Sequence, residues 1–106
     1  MSRPALIISL LWLAACAAGP EIPEALREVA EQARADLASR EGVAASEVGV
    51  LVAQFETWAD GSLGCPRPGQ FYAQIITEGY RIVLTTKSGE HRYHGAVGRD
   101  PILCQN

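Results

Sequence analysis

Beyond residue 20 the chain changes its hydrophobic period once. Ile22, Leu26, Val29, Ala33 and Leu37 recur at helical spacing, with Pro23 suited to a first turn and Gly42 placed to end the element. This spacing predicts a helix with a single apolar stripe. Its other face carries Arg27 with Glu31 and Asp36 with Arg40, four residues apart. Such pairs stabilise a helix by only tenths of a kcal/mol and mark a solvated surface. Glu21, Glu24 and Glu28 gather at its start, where the helix dipole favours negative charge. From Val48 onward the period becomes two. Strands are predicted at Val48–Thr57, Phe71–Ile76, Tyr80–Thr86 and Glu90–Ala96, with turns at Thr77-Glu78-Gly79 and Lys87-Ser88-Gly89, so the last three should form an antiparallel meander. One helix stripe covers one sheet face. The expected fold is therefore α+β, one N-terminal helix packed on a curved antiparallel sheet of about four strands, in a single small domain over residues 21–106.

The first twenty residues follow a different logic. Arg3 precedes an almost unbroken apolar run from Ala5 to Leu13, which is too short for a permanent membrane span and reads as a signal peptide over residues 1–15. The run Leu13-Ala14-Ala15-Cys16 resembles the bacterial lipobox, in which small residues precede a cysteine that is acylated and becomes the new N-terminus. That resemblance implies lipidation at Cys16, a short tether over residues 16–20, and a place in the bacterial envelope. In a Gram-negative cell this is the periplasmic face of a membrane, the outer one by preference. An ordinary secretory cut near Ala15-Cys16-Ala17 is the alternative, and it too exports the mature chain.

Charge and cysteine content narrow the class. Nine Lys and Arg against twelve Asp and Glu give a net charge of -3, with the basic residues scattered rather than clustered, so a nucleic-acid partner is not expected. With 106 residues and 48% hydrophobic content, the chain builds one modest core. Three cysteines leave an odd thiol unless Cys16 carries lipid; Cys65 and Cys104 then remain as an even pair in an oxidising compartment. A bridge between them closes a long loop and stabilises by roughly 4 kcal/mol on the chain-entropy argument. A reactive Cys65 or a thiolate metal site is the competing reading. Against a metal, the two cysteines and two histidines include no closely spaced Cys pair.

The segment between the first two predicted strands departs from generic scaffold. It reads Trp58-Ala59-Asp60-Gly61-Ser62-Leu63-Gly64-Cys65-Pro66-Arg67-Pro68-Gly69, followed by Tyr72-Ala73-Gln74, Gly79-Tyr80-Arg81-Ile82 and Tyr93-His94. This resembles an uncharacterised family of small bacterial secreted proteins and lipoproteins built on a W-x-D-x-S-L-G-C-P-x-P-G core. The resemblance runs from about Ala33 to Cys104. It implies an exported domain and supplies no catalytic residue.

Glycines and prolines around Cys65 predict a rigid loop ordered before it meets a partner, which lowers the entropic cost of binding. Trp58, Asp60, Ser62, Leu63, Tyr72, Tyr93 and His94 are the candidate binding residues. The bland alternative is that Trp58 caps the core and the glycines and prolines solve a cramped crossover. Asp60, Ser62 and His94 are also the residue types of a Ser/His/Asp hydrolase, but Ser62 lacks the Gly-x-Ser-x-Gly elbow. Cys65 with His94 would be a nucleophile pair only if Cys65 were reduced. His91 and His94, three apart, fall on opposite faces of a regular strand and make a poor metal pair. No Gly-rich phosphate loop occurs, so no cofactor is expected. The expected function is a lipid-anchored envelope binding or accessory module acting on an envelope protein. A small hydrolase using His94 with Ser62 or Asp60, or a purely structural accessory, are the alternatives.

The lipid reading yields the first prediction. Cys16→Ser should move the protein from the membrane to the soluble fraction or stall its processing, and the wild-type mature N-terminus should carry acyl mass. Normal cleavage and membrane retention of the variant, with no acyl mass on the wild type, would remove the anchor.

Overall fold

The computed structural model describes residues 21–105, so the leader reading and Cys16 lie outside the described residues. Within them a short 3-10 turn, Glu24–Leu26, leads into α1, Arg27–Glu41. Gly42 ends α1 in the left-handed conformation at φ 67°, its N–H donating to the Ala38 carbonyl. A glycine there avoids the Cβ clash of that geometry. A second 3-10 turn, Ala45–Glu47, reverses the chain into β1, Gly49–Trp58. Then follow β2, Thr77–Thr86, β3, Gly89–Ala96, and β4, Ile102–Leu103. The four strands form one open antiparallel sheet in chain order. The α+β expectation holds. Among the described residues, no helix is long and apolar enough to cross a membrane.

The stripe that α1 buries is narrow and made largely of small residues. Leu26, Ala30, Ala33, Leu37 and Ala38 are buried, while Ile22 and Val29 pack at its margin. Alanines let the helix approach the sheet closely and leave room for two large rings beneath it. Those rings are Tyr80 and Tyr93, which with Ile82, Leu84 and Leu37 are the largest fully buried side chains. Burying each such side chain stabilises the fold by about 1.5–3 kcal/mol. Both hydroxyls find partners, as buried polar groups must. Tyr93 donates to Asp36 Oδ2 at 2.6 Å, linking β3 to α1, and Tyr80 donates to the Arg99 carbonyl at 2.5 Å. Arg34 pins the other flank of α1, donating to the carbonyls of Val48 and Ala45 and pairing with Glu31. Glu31 is thus taken by Arg34 and not by Arg27, whereas the expected Asp36–Arg40 pair is present at 2.7 Å.

The strand assignment needs one correction. Phe71–Ile76 forms no strand, and Thr77-Glu78-Gly79 is the start of β2, not a turn. Apolar residues occupy both phases of 71–76, so no single face would be buried by pairing it. Meanwhile β2 pairs with every residue of β1 except Leu51, from Trp58↔Thr77 to Gly49↔Thr85, the bulge at Leu51 letting the two ends stay in step. The fourth strand comes instead from Ile102–Leu103, too short to show a period.

Asp36 sits where the two layers meet. The Tyr93 hydroxyl holds its carboxyl below the ordinary value of 3.8, burial opposes this, and Arg40 adds to the lowering. A depressed folded-state value contributes stability that is complete above the ordinary value and lost as pH falls through the depressed one. Tyr93→Phe keeps the ring and deletes the hydroxyl. It should lose about 1–2 kcal/mol at neutral pH in urea denaturation and fall less steeply below pH 4. An acid profile parallel to that of the wild type would show that the hydroxyl does not hold Asp36.

Candidate functional site

Successive residues of a strand point to opposite faces, and β3 uses this to serve two layers. Tyr93 faces α1; His94, its neighbour, faces away. The register Gln54↔Arg81↔His94 and Glu56↔Gly79↔Ala96 places Glu56, Arg81, His94 and Trp58 on that second face. Trp58, at the end of β1, lays its indole across the sheet. Its Nε1–H donates to the Gly95 carbonyl at 3.1 Å, and its ring stacks on His94 with centroids 4.5 Å apart and planes at 25°. The indole has room only because residue 79 lacks a side chain: a Cβ there would lie 2.5 Å from Trp58 Nε1 and 2.1 Å from the Gly95 carbonyl oxygen.

The chain between β1 and β2 folds back over this stack. Asp60 accepts from the Ser62 backbone N–H at 2.8 Å and from its hydroxyl at 2.5 Å. The hydroxyl is the larger influence holding the Asp60 carboxyl below its usual value, and the N–H adds to it. Leu63 and Gly64 then adopt left-handed backbone, at φ 55° and 70°, which turns Cys65 back toward the sheet. A Cβ at Gly64 would come within 2.6 Å of the Trp58 ring and 3.2 Å of His94 Nδ1, so the backbone itself is the surface that covers the stack. Cys65 is bridged to Cys104, just past β4, with Cα atoms 5.4 Å apart. Farther along, the Gly61 N–H donates to Ala73, and the Arg67 N–H to the Tyr72 hydroxyl, closing the two arms of the loop on each other.

His94 lies at the centre of this arrangement and is 3% exposed. Its Nδ1 is 2.7 Å from the Leu63 carbonyl and 3.0 Å from Cys65 Sγ. Burial pushes its pKa down, against the Leu63 hydrogen bond, and the charges of Arg92 and Arg81 push the same way as burial. The ring is therefore neutral at physiological pH. A carbonyl only accepts, so Nδ1 carries the proton and Nε2 is a bare acceptor. That Nε2 is buried with no hydrogen-bond partner among the described residues.

The candidate residues divide cleanly. Trp58, Asp60, Leu63 and Tyr72 are partly exposed around the loop. Ser62, at 8%, and His94 support it from beneath. Tyr93 leaves the binding set: at 0% exposure on the helix face, it cannot touch a partner. The hydrolase constellation is not assembled, since the Ser62 hydroxyl is turned to Asp60 and the protonated nitrogen of His94 to Leu63. His91 is on the opposite face, bonded to Ser88 Oγ at 2.8 Å and facing Glu41 Oε1 at 3.0 Å. One feature escaped the sequence, and another was set aside on spacing. Phe71 is fully exposed and Ile75 and Ile76 are 64% and 73% exposed, apolar residues that the strand reading concealed. The donors of Cys65, His94 and Cys104, dispersed along the chain, lie within 4.8 Å of one another.

Residues 30–104 match the family described as a domain of unknown function, DUF8738, and the chain belongs to that family. Among curated proteins and among solved structures there is no match.

Two glycines separate backbone strain from packing in the loop. Gly64 and Gly69 both have left-handed backbone, but a Cβ meets Trp58 at the first and nothing within 4 Å at the second. Gly69→Ala should cost about 1 kcal/mol or slightly more, the backbone effect alone; Gly64→Ala should add overpacking and cost about 2–4 kcal/mol. Urea denaturation followed by Trp58 fluorescence gives both. Equal losses would mean that the loop does not bear on the indole.

Proposed function

We propose that this member of the DUF8738 family is a non-catalytic binding module of the bacterial envelope, anchored by lipid at Cys16, that recognises an envelope protein through the β1–β2 loop. The observation that carries this reading is the exposure of Phe71, Ile75 and Ile76 on a loop fastened by the Cys65–Cys104 bridge. Three large apolar side chains within six residues form a patch of the kind that marks an interaction surface, whereas single exposed apolar residues need no explanation. Fastening matters as much as exposure. A loop already ordered by the bridge, the Asp60–Ser62 turn and the Gly61–Ala73 bond loses little entropy on docking. Trp58, Asp60, Leu63 and Tyr72, partly exposed on and beside the same loop, add mixed polar and aromatic surface, while Ser62 and His94 bond to Asp60 and Leu63 within it. The short tether over residues 16–20 keeps the partner close to the anchoring membrane.

The test places a photo-crosslinking residue at position 75 of the full chain in intact cells. A discrete crosslinked protein is expected, and Phe71→Ser with Ile76→Ser should lower its yield at least tenfold while leaving the unfolding midpoint unchanged. An undiminished yield from the folded double variant would remove the loop as the contact. A partner-independent activity lost in Ser62→Ala would favour chemistry over recognition.

A further inference from the structure

The cluster of Cys65, His94 and Cys104 does more than fasten the loop. We infer that reduction of the Cys65–Cys104 disulfide converts this corner of the domain into a two-thiolate, one-imidazole site for a soft monovalent cation, Cu(I). The donors come from three separate parts of the chain, yet lie within 4.8 Å of one another, and Cys65 Sγ is already 3.0 Å from His94 Nδ1. A cation can therefore be received with small side-chain movements. Nothing about this proposal depends on the lipid anchor or on the loop's partner.

Ligand type and charge select the ion. Thiolate and imidazole donors suit Cu(I) and Zn(II), and hard cations are excluded. Zn(II) on three protein donors needs a fourth ligand from outside, whereas the three side-chain donors here suffice for Cu(I). Two thiolates on one Cu(I) leave a single negative charge. Arg92 and Arg81 act electrostatically on His94 from nearby, with Glu56, paired to Arg81 at 3.5 Å, acting against them.

His94 is suited to the role. Its ring is held in place by the Trp58 indole, stacked 4.5 Å away, with Nδ1 turned toward Cys65 Sγ. The proton on Nδ1 has to vacate that nitrogen, and Nε2, with no partner, is free to take it without a change of ring charge. The reductive step balances with an external dithiol as electron donor. The Cys65–Cys104 bond breaks, the two sulfurs gain two electrons and two protons, and the dithiol closes to its own disulfide. Cu(I) then displaces the two thiol protons and keeps its oxidation state. Reoxidation of the pair removes both sulfur donors and expels the ion, so binding and the bridge are mutually exclusive.

The experiment uses the full chain carrying Cys16→Ser, in which Cys65 and Cys104 are the only cysteines. Reduced by a phosphine under anaerobic conditions, it is titrated with Cu(I) against bicinchoninate. One Cu(I) per chain is expected, held at least tenfold more tightly than by the oxidised chain, and His94→Gln should weaken it at least tenfold. X-ray absorption of the reduced protein, which needs no variant, should show two sulfurs and one nitrogen around copper. A two-sulfur site without nitrogen, a His94→Gln protein that binds as well as its parent, or a reduced chain that competes no better than the oxidised one would each overturn the proposal.

Discussion

The second layer of this small domain is organised by contact between a Trp58 indole and a His94 imidazole, stacked 4.5 Å apart on the sheet face that α1 does not cover. A strand end and a loop do not normally make a core; here two glycines allow one. Gly79 lets the indole lie flat against the sheet, and Gly64 lets the returning loop lie flat against the indole. The Leu63 carbonyl then closes the site by accepting from His94. Each of these contacts requires the others, because the ring that Gly64 covers is the ring that His94 supports.

On the opposite face the solution is different. There α1 presents mostly alanines, and the volume is filled by Tyr80 and Tyr93, whose hydroxyls reach out of the apolar layer to Arg99 and Asp36. One face is thus closed by a helix over large rings, the other by a loop backbone over a stacked pair. Because Tyr93 and His94 are adjacent in β3, the two layers share a single strand, and its position is fixed from both sides. This explains how so short a chain holds a loop firmly over its second face.

How much of this was legible in the residues depends on the kind of signal each element carries. The helix was readable because five apolar residues repeat at one spacing and Gly42 needs left-handed backbone. The Cys65–Cys104 pair followed from counting. The segment 71–76 looks like a strand because local β preference says nothing about which stretch pairs with β1, and Thr77–Thr85 takes that place. That same likeness hid the apolar patch. The grouping of His94 with two cysteines is set aside on spacing for a related reason: spacing along the chain is a poor guide when a sheet folds three distant segments onto one another. Tyr93 and His94 look alike as an adjacent polar-aromatic pair, and only the alternation of β3 separates the buried strut from the ring beneath the loop.

Cys65 and Cys104 are 39 positions apart, and the stretch between them contains the whole of β2 and β3. The hairpin they form closes locally through Lys87 and Ser88 and so can assemble quickly, whereas the loop and β4 dock later and from a distance. The two sulfurs meet only once both have arrived at the edge of β3. The bridge geometry therefore demands the native register: with β2 and β3 slipped or the loop undocked, Cys65 and Cys104 are not brought within bonding distance. In that sense the crosslink is a signature of the native topology, joining two points that only the finished sheet and loop bring together.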